Sequence, residues 1–196
     1  MIAIIAGCGT NITSVQFALE RLGVTGLLTT DVAQIKSADK VLLPGVGTAK
    51  HAMQQLHELG LSSVIPTLTQ PVLGICLGMQ LLYETSAEGD VTCLGIVPNQ
   101  VKAIPRSLGL TVPHMGWNQL QFADATHPLL QGIQPEDYVY FVHSYAAPVD
   151  EYTIAAADYG VPFTAMVQKN NFYGAQFHPE RSGKVGQKIL ENFIKL

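Results

Sequence analysis

The sequence predicts an α/β fold: an open, mainly parallel twisted sheet with helices on both faces and antiparallel strands added in the C-terminal half. Three observations predict it. Over roughly the first 84 residues, short wholly apolar runs alternate with amphipathic stretches, the pattern of strands buried on both faces and the helices that cover them. Glycine and proline punctuate the junctions, as at Gly7, Gly23 and Pro44-Gly45. From about residue 90 the texture changes to short β-rich pieces separated by Pro and Gly turns, which suits antiparallel strands extending or flanking the sheet.

Taken in order, Ile2 to Ala6 is a first strand running into Gly7 and Gly9. Residues 13 to 22 place Val15, Ala18, Leu19 and Leu22 at helical spacing, and Gly23 ends that run. Val24 to Thr29 and Lys40 to Leu43 follow as strands, and Thr48 to Leu59 as a helix. Pro71 to Ile75 is a further buried strand, continued by a helix from Leu77 to Glu84. The later strands are Thr92 to Val97, Tyr138 to Val142, Thr153 to Ala157, Phe163 to Gln168 and Phe172 to Gln176. A last helix, Lys184 to Leu196, carries Val185, Ile189, Phe193 and Leu196 on one face. No repeat, linker or low-complexity tract divides residues 1–196, so a single domain is expected.

Composition narrows the function. Hydrophobic residues make up 47% and charged residues 13%, which excludes disorder and suggests some apolar surface covered by another protein. The net charge of −4 and the lack of a Lys/Arg-rich tract exclude a nucleic-acid-binding surface. Cys8, Cys76 and Cys93 form an odd set without metal-type spacing, which favours a reducing compartment. The apolar N-terminus reads as a strand, being too short for a signal peptide, and no run approaches the ~20 residues of a membrane span. A soluble, cytoplasmic chain is expected.

The strongest local signal is PVLGICLGMQLLYE, in which a buried strand enters Cys76 and a helical run leaves it. Gly74 and Gly78 flank the cysteine at the spacing of a nucleophile elbow, where a strained turn has no room for neighbouring side chains. A helix N-terminus there favours thiolate over thiol, and its N–H groups can hold an oxyanion. An ordinary buried cysteine at a strand end accounts for the same residues about equally well until a base is found.

Six histidines are available. His51 and His57 lie on an amphipathic helix without zinc-pair spacing, and His127 precedes a proline in a turn, whereas His114, His143 and His178 remain as candidates. Only His178 has a carboxylate two residues on, in FHPERSG. Pro179 blocks helix and favours extended backbone, which would project His178 and Glu180 to one side. Glu180 would then fix the imidazole tautomer while His178 takes the thiol proton. An elbow cysteine together with a His-x-Glu at a strand end is far more specific than either alone.

GICLGMQ at 74–80 together with FHPE at 177–180 resembles the class I (triad) glutamine amidotransferases. Within that family, LPGVG at 43–47, PHMGWN at 113–118, YFVHSY at 140–145 and FHPERSG at 177–183 are similar to the imidazole glycerol phosphate synthase branch. The resemblance covers essentially the whole chain. It implies Cys76 as nucleophile, His178 as base and then acid, and Glu180 as its orienter. It implies that Gly45, Val46 and Gly47 form an oxyanion loop beside Leu77, and that Gln80, Glu88, Ser144 and Tyr145 bind glutamine. It further implies a (β/α)8-barrel cyclase partner that receives ammonia, contacted by Asn11, Met115, Trp117, Asn118, Tyr138, Tyr140 and Arg181. No metal or organic cofactor is implied.

Two departures stand out. Ala6 to Asn11 keeps the final Asn of a loop that often reads Asp-Tyr-Gly-x-Gly-Asn, and Arg181 stands where Lys is usual. The glycine-flanked oxyanion loop could rest in a non-productive form until the partner binds its own ligand. Rival readings are a glutaminase subunit of another synthase, such as one for pyridoxal phosphate, and a non-catalytic scaffold subunit.

Overall fold

The computed structural model describes residues 1–7, 12–122 and 124–196. The Asn11 contact and Cys8 therefore lie outside the described residues.

The first strand, β1 (Ile2–Ile5), is wholly buried, and the amphipathic run after it forms α1 (Ile12–Arg21). There follow β2 (Gly26–Thr29), α2 (Val32–Ser37), β3 (Lys40–Gly45), α3 (Ala49–Glu58), α4 (Leu61–Val64) and β4 (Val72–Cys76). The helix α2 has no strong apolar period, and it is set by Asp31, whose carboxylate accepts the Gln34 N–H at 2.8 Å. Thr48 caps α3 in the same way, accepting from the His51 N–H.

Beyond β4 the elements are α5 (Leu77–Gln80), β5 (Tyr83–Ser86), β6 (Val91–Thr92), β7 (Val97–Ala103), β8 (His114–Gln119), β9 (Tyr138–His143) and β10 (Tyr145–Ala146). The chain ends with β11 (Thr153–Asp158), β12 (Pro162–Lys169), β13 (Phe172–Ala175) and α6 (Gly183–Lys195).

Seven strands form the main sheet in the order β11-β12-β13-β4-β3-β1-β2. All pairings from β13 to β2 are parallel, while β12 and β11 are added antiparallel at one edge. This is the mainly parallel sheet with added antiparallel strands that the sequence predicts. Successive strand residues face opposite cores, as the pleat requires. Ala3, Ile5, Val41 and Leu43 join α3 residues Ala52, Met53 and Leu56 on one side. Ile2, Ile4, Leu42 and Leu73 join Val15 and Leu19 of α1 and Ile189 and Phe193 of α6 on the other. Helices thus cover both faces, which is why these strands read as unbroken apolar runs.

The stretch after Cys76 departs from expectation. The helix stops at Gln80 instead of reaching Glu84. A helix reaching Glu84 would need the N–H groups of residues 83 and 84 for the carbonyls of Met79 and Gln80, but residues 83 to 86 form β5 and pair with β6 and β7 instead. The carbonyls of residues 81 to 84 also bond outside any helix: Leu94, Ile96, Gly95 and Cys93 donate to Leu81, Leu82, Tyr83 and Glu84, each at 2.9 Å. The expected strand Thr92 to Val97 is likewise divided between β6 and β7, with residues 93 to 96 spent on those bonds. A small sheet, β10-β7-β5-β6, and a separate ribbon, β8-β9, result. No helix among the described residues is long and apolar enough to cross a membrane.

Candidate active site

Cys76 ends β4 and precedes α5 with φ 53° and ψ −110°, a conformation that L-residues rarely adopt. The flanking glycines make the turn possible. A Cβ on Gly74 would lie 2.6 Å from the Gly78 carbonyl oxygen, and one on Gly78 would lie 1.7 Å from that of Leu43. The elbow is therefore strained at Cys76 and crowded on both sides. The Sγ atom lies 3.8 Å from the Val142 carbonyl oxygen and 3.9 Å from Gln176 Nε2.

His178 follows β13 at the carboxyl end of the parallel strands, beside Cys76, where open α/β sheets place their chemistry. Its Nδ1 lies 2.8 Å from Glu180 Oε1, and both side chains are almost wholly buried. The expected extended backbone is corrected here. Pro179 opens a single 3-10 turn, Pro179–Arg181, and that turn brings Glu180 under the imidazole. Proline fits because the first position of such a turn has no use for an N–H. The turn is anchored three ways: Ser182 Oγ donates to the His178 carbonyl at 2.7 Å, Arg181 N–H donates to it at 3.0 Å, and His178 N–H donates to the Tyr140 carbonyl at 3.0 Å. Gly186 lets α6 approach, since a Cβ there would stand 2.0 Å from the Pro179 oxygen.

Burial works against a charged His178, but the neighbouring Cys76 sulfur and the Glu180 carboxylate outweigh it and push its pKa up to about 10. While the Cys76 sulfur is ionised, the imidazole is favoured in its protonated form. With Nδ1 committed to Glu180, Nε2 is the nitrogen left for the sulfur.

A cavity of about 230 Å³ opens beside these groups. Val46, Gly47, Leu77, Gln80, Glu88, Ser144 and Tyr145 all line it with Cys76 and His178. Gly45 sits beneath, in register with Cys76 across β3 and β4. A Cβ on Gly45 would come 2.9 Å from the Gly78 N. Gly47 has φ +99°, a value glycine adopts freely.

The buried Gln80 spends both amide N–H groups within the protein, on the Tyr145 carbonyl and on Gln176 Oε1, each at 2.9 Å. Glu88 accepts the first N–H of α3, from Ala49, at 2.8 Å. Pro113, Val142 and Gln176 were not foreseen at the site, although the first two line the cavity, and His143, kept among the candidate bases, lines it as well. Gln176 adjoins Phe177 in a motif already singled out, so chain proximity was the available signal.

The ribbon carries the remaining candidates. Met115, Trp117 and Tyr138 are 63%, 55% and 53% exposed, on the outward face of β8 and β9. Trp117 stands opposite Tyr140 with ring centroids 5.9 Å apart, and the Arg181 guanidinium lies 5.0 Å from the Tyr140 ring. Asn118 alternates to the other face, where it is half-buried and its Nδ2 donates to the Asp158 carbonyl at 2.8 Å. His51 and His57 are exposed, whereas His127 caps a 3-10 turn by accepting the Leu129 N–H. Among the described residues no group of three or more His, Cys, Asp or Glu is placed to hold a metal ion.

Three comparisons show what the chain is similar to. A chain from Idiomarina loihiensis, an imidazole glycerol phosphate synthase subunit HisH, is 55% identical over 186 residues, covering 95% of this chain and 93% of that one. The HisH subunit of Mannheimia succiniciproducens is 52% identical over 195 residues, covering 100% and 99%. The solved structure of PurLQS from Thermotoga maritima superposes with a TM-score of 0.75 at 16% identity, covering 99% and 97%, a likeness of fold alone. The family description "Glutamine amidotransferase class-I" matches residues 6–196, and the chain belongs to that family.

Proposed function

We propose that this chain is the glutamine-hydrolysing subunit of an imidazole glycerol phosphate synthase, acting as one domain in the cytoplasm through Cys76, His178 and Glu180. The observation that carries the catalytic part is the positive-φ elbow of Cys76 facing a His178 whose Nδ1 is held by Glu180.

The Cys76 thiolate attacks the side-chain amide carbon of glutamine. The carbonyl oxygen becomes an oxyanion held by backbone N–H groups at the Val46 loop and at Leu77, where α5 begins. His178 begins protonated, so it serves first as acid: it gives its proton to the departing nitrogen, and ammonia leaves with the C–N bond pair. The γ-glutamyl thioester that remains carries no charge on sulfur. His178 has then lost one of the two partners that held its proton, and it acts as base on water. Attack of that water returns the thiolate and releases glutamate. Glu180 holds the ring orientation in both halves.

The ammonia is taken up by a (β/α)8-barrel cyclase docked on the aromatic ribbon. Exposed Trp117, Met115 and Tyr138 form the anchors, with Tyr140 and Arg181 beside them. Support comes from the names of the relatives, which are synthase subunits, and from three large apolar side chains exposed together on one face of the ribbon.

The test is glutamate release by the chain alone, with the cyclase, and with the cyclase plus its nucleotide ligand, using Cys76→Ala as control. Stimulation of ~100-fold, about 2.7 kcal/mol of barrier, that disappears in the control is expected. Turnover that ignores the cyclase would send the ammonia elsewhere.

A further inference from the structure

Behind the cavity two buried histidines form a chain whose proton order is decided by its ends. The Tyr145 carbonyl can only accept, so the His143 Nδ1 that lies 2.8 Å from it must donate. His143 Nε2 is then an acceptor, and it receives a proton from His114 Nδ1 at 2.9 Å. His114 Nε2 is an acceptor in turn, and the group beside it is the Asn118 Nδ2, at 3.4 Å. The other N–H of Asn118 goes to the Asp158 carbonyl.

Beyond Tyr145 the chain continues, because the same carbonyl accepts from Gln80, which also donates to Gln176, and Gln176 Nε2 reaches toward the Cys76 sulfur. Both rings are therefore neutral with the proton on Nδ1. Burial supports this by pushing His114 down to about 4 and His143 down to about 3.

Ring packing fixes the geometry. His114 is stacked between Phe141, at 5.0 Å, and Tyr159, at 4.0 Å, and Phe163 lies 4.9 Å from His143. His114 also belongs to β8, the strand that exposes Met115 and Trp117. Nothing in the thiol, imidazole and carboxylate chemistry of the triad calls for this pair.

We propose that His114 and His143 are positioning residues, a one-way hydrogen-bond relay that fixes the Tyr145 carbonyl, and with it Gln80, against the glutamine pocket and ties that pocket to β8. This inference rests on the glutaminase reading. The relay holds Tyr145 and Gln80, which line the glutamine pocket, and reaches the sulfur only at second hand through Gln176 at 3.9 Å, so glutamine-shaped reagents report it more strongly than small ones.

The experiment has two arms on the intact chain. In the first, 15N spectra of labelled histidine are followed from pH 5 to 8. His114 and His143 both keep a protonated Nδ1 and a bare Nε2 throughout, and either ring found as the Nε2–H form or titrating in that range overturns the relay. In the second, Cys76 alkylation by 6-diazo-5-oxo-norleucine is compared with alkylation by iodoacetamide. His114→Phe keeps the stacking but removes the donor, and the ratio of the two rates falls about tenfold, the scale of one lost buried hydrogen bond. His114→Asn, which returns an N–H near the Nδ1 position, restores most of the ratio. An unchanged ratio in His114→Phe, or an equal loss with both reagents, overturns the positioning role. A wild-type chain without preference for the glutamine analogue overturns the glutaminase reading itself, and the spectra still decide the proton order.

Discussion

The Tyr140 carbonyl accepts the backbone N–H of His178 at 3.0 Å, while the Tyr140 ring lies on the exposed ribbon against Trp117 and Arg181. One residue thus touches the proposed docking face with its side chain and the proposed base, His178, with its backbone. Two residues further along β9, the Val142 carbonyl lies 3.8 Å from the Cys76 sulfur. Ser182 tightens the link, since its Oγ accepts the Tyr140 N–H and donates to the His178 carbonyl. A displacement of β9 by a partner is therefore felt at both reacting groups without any contact to substrate.

Trp117→Ala separates docking from folding. The ring is 55% exposed, so the free chain keeps its stability within about 0.5 kcal/mol. Affinity for the cyclase falls by ~2 kcal/mol, about 30-fold, as expected of an aromatic anchor. Calorimetric titration checks the affinity and a thermal melt checks the fold.

Glu180→Gln keeps a hydrogen-bond acceptor near Nδ1 but removes the charge. The carboxylate is one of the groups holding the proton on His178, so its pKa falls. Glutamate release drops by about 10²-fold, mainly in kcat, because the ring no longer keeps its acid form and orientation. Steady-state kinetics with the cyclase present, together with the His178 titration, measures both effects.

Gly78→Ala tests the elbow by sterics alone. A Cβ there would meet the Leu43 carbonyl oxygen at 1.7 Å, and neither backbone can yield. A loss of about 3 kcal/mol or more is expected. Gly23→Ala is the control: φ is +74° with open space around it, so only the backbone cost of ~1 kcal/mol remains. Urea denaturation distinguishes the two.

Stability depends on pH with opposite signs at the two histidine sites. His178 is raised from 6.5 to about 10, so the folded chain holds the extra proton. Its contribution is complete below pH 6.5 and is lost as pH rises toward 10. His114 and His143 are lowered from 6.5 to about 4 and about 3. Their contribution is present above pH 6.5 and is lost as pH falls toward those values, at ~1.4 kcal/mol per pH unit for each proton. Denaturation midpoints across pH should therefore show a shallower acid limb in His114→Phe and a shallower alkaline limb in His178→Asn.

By itself the sequence determined the parallel core and singled out the groups proposed to react. Strands such as Ile2–Ile5 and Val72–Cys76 bury both faces, so their composition alone betrays them. Gly74-x-Cys76-x-Gly78 is legible because sterics at a strained elbow leave no other residue type. The tertiary structure alone decided that the helix after Cys76 ends at Gln80, because residues 83 to 86 pair with β6 and β7 instead. It also decided that a 3-10 turn, rather than extended chain, brings Glu180 beneath His178. The relay was likewise invisible, since His114 and His143 are 29 residues apart and meet only when β8 and β9 pair. Local sterics and burial leave a mark on each residue, whereas hydrogen bonds between distant segments depend on a register that no single segment encodes.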